Sequence, residues 1–220
     1  MTMQPGKTAG KTAEAKRPRT RTQAVNREII LEAALSVFAK HGLRGSTVDQ
    51  IASEAEMSKP NLLYYFRRKQ DIYRALLEAT LDAWLEPLAA IDPDGEPVEE
   101  LRRYISAKLD LARRRPEASR LFANEILSGA PVVEDFLKGP LKALVDEKAA
   151  IVRGWVGEGR LAPVDPHHLI FAIWATTQHY ADFDVQIRAL LGTQVDGPGF
   201  SDQAAQAVLT IILSGVRPRD

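Results

Sequence analysis

The chain reads as an all-α protein, with an N-terminal three-helix unit holding a helix-turn-helix and a larger helical domain behind it. Three observations predict this. From Asn26 onward apolar residues recur at helical spacing, and strand-like alternation is nearly absent. Gly and Pro clusters cut the remainder into pieces of helical length. Basic residues gather at one end, where a compact helical unit could present them together.

In the first helix Ile30, Ala34, Val37, Phe38 and His41 fall on one face, and Gly42 stops it. The second begins in "STVDQIASEAE". Ser46 or Thr47 can cap it, and Gln50 lies three residues after Thr47, as a capping box requires. The third begins in "SKPNLLYYF", with Ser58 as cap and Pro60 in the first turn, where no N–H is needed. A longer helix runs from about Asp71 to Leu88 and carries Leu77, Leu81, Trp84 and Leu88. "IDPDGEP" (91–97) is the clearest break. Beyond it the pattern predicts helices over 97–114, 117–128, 133–157, 166–190 and 200–215, eight or nine in all. The expected organisation is a disordered basic arm over 1–24, a helix-turn-helix domain over 25–72 with its motif at 47–66, and a second domain over 73–220.

Composition narrows the chemistry. The 220 residues are 45% hydrophobic, enough for a substantial core. No apolar run approaches the roughly 18–20 residues that cross a bilayer, and the first residues lack the apolar stretch of a secretory signal. A cytoplasmic protein without a membrane partner is the expectation. With no cysteine, disulfides, thiolate catalysis and cysteine-type zinc sites are excluded. No cofactor is expected. The net charge is zero, but residues 1–70 hold 13 Lys and Arg against 6 Asp and Glu, and the remaining residues show the opposite surplus. One end is suited to a polyanion and the other is not.

Residues 47–66, "TVDQIASEAEMSKPNLLYYF", have the form of a helix-turn-helix. Ile51, Ala52, Ala55, Met57, Leu62 and Phe66 have the spacing to pack its helices together. Lys59, Asn61, Tyr64 and Tyr65 can then face outward. "FRRKQDIY" follows, placing Arg67, Arg68 and Lys69 at the next helix start, where N–H groups and cations can share a phosphate. The expected DNA-contacting residues are Thr47, Lys59, Pro60, Asn61, Tyr64, Tyr65 and Lys69.

These residues resemble the TetR family of bacterial regulators. Its pattern is F-x-x-x-G, then T-[TV]-x-x-I-A-x-x-A-G-V-S, then an aromatic run and a Lys. The chain offers Phe38 to Gly42, Thr47 to Ser58, Tyr64 to Phe66, and Lys69, a match over about residues 26–77. It departs at Glu56, which replaces the usual turn Gly and must adopt or avoid a positive φ. It departs again at Leu63, where Tyr is frequent, and at Tyr65, where His is frequent. The resemblance implies a C-terminal helical domain that holds a small ligand, and a homodimer paired through the last two helices, 166–190 and 200–215. It also implies a double-stranded, palindromic DNA operator, since two short recognition helices set one DNA turn apart read more than either alone.

Within 166–190 the stretch "IWATTQHYADF" interrupts an apolar run with Gln178, His179, Tyr180 and Asp182. Trp174, Gln178 and Asp182 follow one another at four-residue steps and share a face. Four readings compete. An enzyme using His179 as base lacks a nucleophile motif. A metal site on His179 and Asp182, aided by His167 or His168, has only half its ligands at helical spacing. A dimer seam and a ligand pocket both fit, and can coexist on different faces. For Gln178 the pocket reading is favoured; for His179 and Tyr180 seam and pocket stay open. "SRLFANEILSGAP" (119–131), the stretch 141–183, "LLYYF" and "WLEPL" further resemble pyrimidine-responsive members of the same family. That resemblance implies uracil or thymine as effector and control of pyrimidine degradation and nitrogen metabolism. The residue chemistry agrees: Trp84 or Trp174 can stack on a flat ring, Gln178 can donate and accept, Glu125 or Asp182 can accept a ring N–H, and Asn124 can assist. A regulator with an unrelated ligand and a helical enzyme remain the alternatives.

Overall fold

The computed structural model describes residues 21–218, and the secondary structure over this range is helical throughout, with no strand among the described residues. Helix α1 spans Arg21–Gly45 and α2 Val48–Glu54. They are followed by α3 (Lys59–Tyr65) and α4 (Lys69–Ala89). Beyond the "IDPDGEP" break come α5 (Pro97–Arg114), α6 (Pro116–Leu127), α7 (Glu134–Phe136) and α8 (Lys142–Gly157). Then follow α9 (Pro166–Asp182), α10 (Asp184–Leu191) and α11 (Phe200–Val216). No described helix is long and apolar enough to cross a membrane.

The expected caps form. Thr47 and Gln50 complete the capping box of α2, and Ser58 accepts from Asn61 N to cap α3. Ser46, the other candidate, is buried and donates to the Gly42 carbonyl instead. Gly42 takes φ 65°, breaking the helical backbone of α1 as expected. His41, just before it, is exposed rather than on the buried face. Helix α1 starts at Arg21, so residues 21–24 belong to a helix rather than to the expected basic arm. The rest of that arm, 1–20, lies outside the described residues.

Two long helices expected from periodicity are interrupted. The segment 133–157 contains a wide π-turn at Leu137–Leu141, where Pro140 offers no N–H to a regular ladder. The segment 166–190 breaks at Phe183 (φ −113°, ψ 27°) into α9 and α10. Neither change moves the other helices out of order.

Two hydrophobic cores form. The first joins α1 through α4 to α6 and the 130–137 segment, around Ile30, Phe38, Ile51, Leu62, Ile72 and Leu77. The second joins the end of α4 to α5, α8, α9 and α11, around Leu88, Ile105, Val152, Ile173 and Leu213. Trp84, buried on α4, belongs to neither and stands between them. The "IDPDGEP" turn is stitched to the second core: Lys148 Nζ donates to Ile91 O, Trp155 Nε1 to Pro93 O and Arg160 to Gly95 O. A Cβ at Gly95 would collide with the buried Glu100 carboxylate, which explains the glycine.

Between α2 and α3 the chain turns through Glu56 at φ 51°. Met57 N reaches Ala52 O and Glu56 N reaches Ser53 O, the paired hydrogen bonds of a Schellman ending. A glutamate here bears the left-handed strain and puts a negative charge at a helix C-terminus. Glu56→Gly is therefore expected to stabilise the protein by about 1 kcal/mol, read as a higher denaturant midpoint with unchanged slope.

Candidate DNA interface and ligand pocket

Helices α2 and α3 meet through Ile51, Ala52, Ala55, Leu62 and Phe66, all buried, with Met57 partly buried against them. That packing leaves Lys59, Pro60, Asn61 and Tyr64 exposed on α3. Lys59 Nζ pairs with Asp49 at 2.9 Å across the motif, a solvent-exposed bridge that DNA can open at little cost. Thr47 is exposed beside it, its hydroxyl shared with the α2 cap. Tyr65 differs from expectation. Its ring is half-buried against the first core because α1 extends far enough to cover it, and Asn26 of α1 donates to its hydroxyl at 2.7 Å.

Lys69 lies at the first turn of α4 and donates to Ser46 O at 2.6 Å and Arg44 O at 3.4 Å. It ties the α1–α2 connection to α4, while the partly exposed ammonium keeps capacity for one more acceptor. Arg68 is engaged by Asp71 through Nε and Nη2, and this ion pair raises the guanidinium and lowers the carboxyl from their ordinary values. Arg67 and Arg44 are exposed cations on the same edge.

The second site lies where α4, α5, α6 and α9 meet. Trp174, Gln178 and Asp182 share one half-buried face of α9, as their spacing predicts. The opposing stripe on α5 is Tyr104 and Lys108. Trp174 Nε1 donates to Tyr104 Oη at 2.6 Å, so its indole edge is already used in packing. Asp182 accepts from the buried Ser119 hydroxyl of α6. Desolvation raises the Asp182 pKa, opposed by Ser119, Arg120, Lys108 and His179. Gln178 stands one turn from both, without a hydrogen bond among the described residues.

Lys108 is 5% exposed, and its ammonium lies 4.2 Å from the centroid of Trp84. It has no hydrogen-bond acceptor or ion pair among the described residues. Burial lowers its pKa to about 8, against the attraction of Asp182. Phe122 packs near the same indole at 6.1 Å. The expected list omitted both Lys108 and Ser119. The signal for Lys108 was present: it occupies a core position in the stripe Leu101, Tyr104, Ile105, Lys108, Ala112. Ser119 carried no comparable signal.

Two expected ligand residues do not join this cluster. Both oxygens of Glu125 are occupied, by Tyr73 Oη at 3.1 Å and Val132 N at 2.6 Å. It ties α4 to the 130–137 segment. Burial, then the Glu125 charge, raises the Tyr73 pKa. Asn124, one residue earlier, is exposed on the outer side of α6 because a one-residue step turns a helix by about 100°.

Between α5, α9, α10 and α11 lies a separate cavity of about 400 Å³, lined by Leu109, Thr177, Tyr180, Ile187 and Phe200 among others. None of the six expected ligand residues reaches it. Its charged walls pair with each other, Asp110 with Arg113 and Asp184 with Arg188. Lys108 by contrast, largely buried at the α4–α5–α6–α9 junction, makes no ion pair or hydrogen bond among the described residues. Tyr180 faces the cavity and packs on Phe200, whereas His179 is exposed and stacks on Phe183. His167 approaches Asp146 on α8, and no group of three or more potential metal ligands occurs among the described residues.

A helix-turn-helix with a basic rim, set on a helical domain with a buried polar cluster, defines a DNA-binding transcriptional regulator. Residues 30–76 match the model for bacterial regulatory proteins of the tetR family, and residues 77–219 that for the C-terminal region of YcdC-like proteins. The chain belongs to the TetR family. It is 47% identical over 219 residues to the HTH-type transcriptional regulator RutR of Escherichia coli strain K12, covering all of both chains. Among solved structures it resembles the transcriptional regulator SCO4942 of Streptomyces coelicolor at 27% identity and a TM-score of 0.70, over 88% of this chain and 99% of that one. The ketosteroid transcriptional regulator KstR2 of Mycobacterium tuberculosis shares the fold at 23% identity and the same TM-score, over 93% and 99%. These relatives are transcriptional regulators, and the chain is one too, not an enzyme.

The buried lysine has a consequence for stability. Its folded-state pKa lies below the ordinary 10.5, so the unfolded chain holds the extra proton between about pH 8 and 10.5, and stability rises with pH across that window. Relative to Lys108→Met, the unmodified protein should gain roughly 2–3 kcal/mol there, measured by denaturant unfolding of both proteins. Below pH 8 the Met variant should be the more stable of the two.

Proposed function

We propose that this regulator is a repressor whose effector is uracil or thymine, and that it governs pyrimidine degradation and nitrogen metabolism in the cytoplasm. The carrying observation is Lys108, a largely buried lysine whose ammonium lies on the face of Trp84 and makes no hydrogen bond among the described residues. A ring carbonyl would supply an acceptor. Asp182 and the Gln178 amide, on the facing helix, could then accept a ring N–H. Cytosine has a lone pair where uracil carries its N3 proton, so it would face a carboxylate or carbonyl oxygen unpaired. The resemblance of 119–131 and 141–183 to pyrimidine-responsive members of the family supports the same ligand.

On this reading the DNA-binding domain begins with α1 at Arg21 and runs to residue 72, and residues 73–220 act as the ligand and dimerisation domain. Thr47, Lys59, Pro60, Asn61, Tyr64, Tyr65 and Lys69 meet a palindromic operator. Two chains pair through α9–α10 and α11. Supporting this, Phe171, Phe183, Val185 and Leu190 on the first segment and Ile211 on the second are large apolar side chains left exposed. His179 shares that exposed surface, which favours the seam for it. Ligand acts by favouring the arrangement in which the recognition helices no longer fit consecutive grooves, and can do so only by its difference in affinity for the two states.

Calorimetric titration with uracil, thymine and cytosine tests the ligand. Binding of uracil or thymine but not cytosine is expected, with Gln178→Ala weakening it about tenfold or more. Absence of binding by any pyrimidine to folded protein would leave the regulator without this effector. For the DNA side, Lys69→Ala should lower affinity for all sequences and flatten the salt dependence, whereas Asn61→Ala should relax base preference. Unchanged salt slope in the first, or unchanged preference in the second, removes that residue from the interface.

A further inference from the structure

Tyr64, Tyr65 and Phe66 close the recognition helix, and each is met by a separate polar side chain from the first two turns of α1. Gln23 Nε2 donates to Tyr64 Oη at 3.2 Å. Asn26 Nδ2 donates to Tyr65 Oη at 2.7 Å. The Arg27 guanidinium carbon lies 4.0 Å from the Phe66 ring centroid. Positions 23, 26, 27 and the buried Ile30 share one helix face, so burial of Ile30 brings the three polar groups to the aromatic run together. The two tyrosine rings also hold each other, edge to face at 5.2 Å.

We propose that Gln23 and Asn26 are positioning residues for DNA binding, which aim the hydroxyl protons of Tyr64 and Tyr65 at backbone phosphates. The inference rests on the DNA role proposed above for those tyrosines. A phenol has one proton to donate and lone pairs to accept with. Each amide fills an acceptor position, so the phenolic proton is left for an outside acceptor, and a phosphate oxygen is the strongest one DNA offers. A carboxylate at position 23 or 26 would do the opposite, taking the phenolic proton for itself. Tyr64 is 71% exposed, and a side chain so open ordinarily loses rotamer freedom on binding. The amide and the neighbouring ring fix it beforehand.

A neutral hydroxyl releases no counterion, which separates this contact from that of a lysine. Losing it lowers affinity equally at every salt concentration, whereas losing Lys69 changes the slope. The test is a pair of double-mutant cycles on the full chain, Gln23→Ala with Tyr64→Phe and Asn26→Ala with Tyr65→Phe. Affinity is measured over a salt series for a duplex enriched from a random-sequence pool by the unmodified protein. Each Tyr→Phe change should weaken binding about tenfold, each amide change about threefold or more, and the double variants no further than the Phe variants alone. The salt slopes should stay parallel. Gln23 and Tyr64 meet at the surface, so that cycle is readable even if Asn26→Ala perturbs folding. If Tyr→Phe weakens binding and the amide changes add their full cost on top, the amides do not act through the hydroxyls and the inference fails. If neither Tyr→Phe change weakens binding, the tyrosine contacts themselves are wrong, and the inference falls with them.

Discussion

Helix α4 is a member of both hydrophobic cores, and the remaining elements are arranged around that constraint. Its first half, Ile72, Leu76 and Leu77, packs under the helix-turn-helix; its last turn, Leu88, packs with α5 and α8. Pro87 removes one bond of its ladder beside Leu88; over the turns before it the helix is continuous and does not bend locally without losing bonds. Between the two cores the helix carries Trp84, on which the Lys108 ammonium rests. Helix α6 supplies the lateral connections. Tyr73 on α4 donates to Glu125, and Arg115, at the start of α6, pairs with Glu32 of α1. Ser119, one turn further along α6, donates to Asp182. The polar cluster of α5, α6 and α9 and the DNA-binding unit are thus joined by two helices.

The polar groups inside the domain divide by whether they are satisfied. Glu125 has a donor for each oxygen, and Glu100 holds the Asp92 amide and Arg103. Lys148 reaches a carbonyl and a carboxylate. These ties cost desolvation and return it as hydrogen bonds, so they fix geometry. Lys108 is different. Its side chain is largely buried and its ammonium makes no hydrogen bond among the described residues, and burial lowers its pKa. Its ammonium is held by the face of Trp84 and the charge of Asp182 rather than by a hydrogen bond, which leaves it able to take an acceptor.

Much of the fold was legible because its signals are local. The Thr47–Gln50 capping box, Ser58 with Pro60, the glycine at 42 and the "IDPDGEP" break each act within one turn of themselves, and all form where the residues indicate. The break at Phe183 had no Gly or Pro to mark it, and the turn around Pro140 was marked but lay inside an otherwise helical pattern. On α9 the four-residue stripe of Trp174, Gln178 and Asp182 could be read from periodicity alone. Its partners could not. A lysine in an apolar stripe ordinarily extends its ammonium to water; Lys108 becomes exceptional only when Trp84, 24 residues away, covers it. Glu125 looked available for the converse reason, since its two donors lie on other segments.

Close-packed interiors pass a displacement along because they contain almost no room to absorb it. Helix α9 is an exception on one side. Its flank at Thr177, Tyr180 and Ala181 borders about 400 Å³ of space that α5, α10 and α11 also line. A change of position or of side-chain size on that flank therefore meets open volume instead of a packed neighbour, so that side of α9 is where the domain can yield without overpacking.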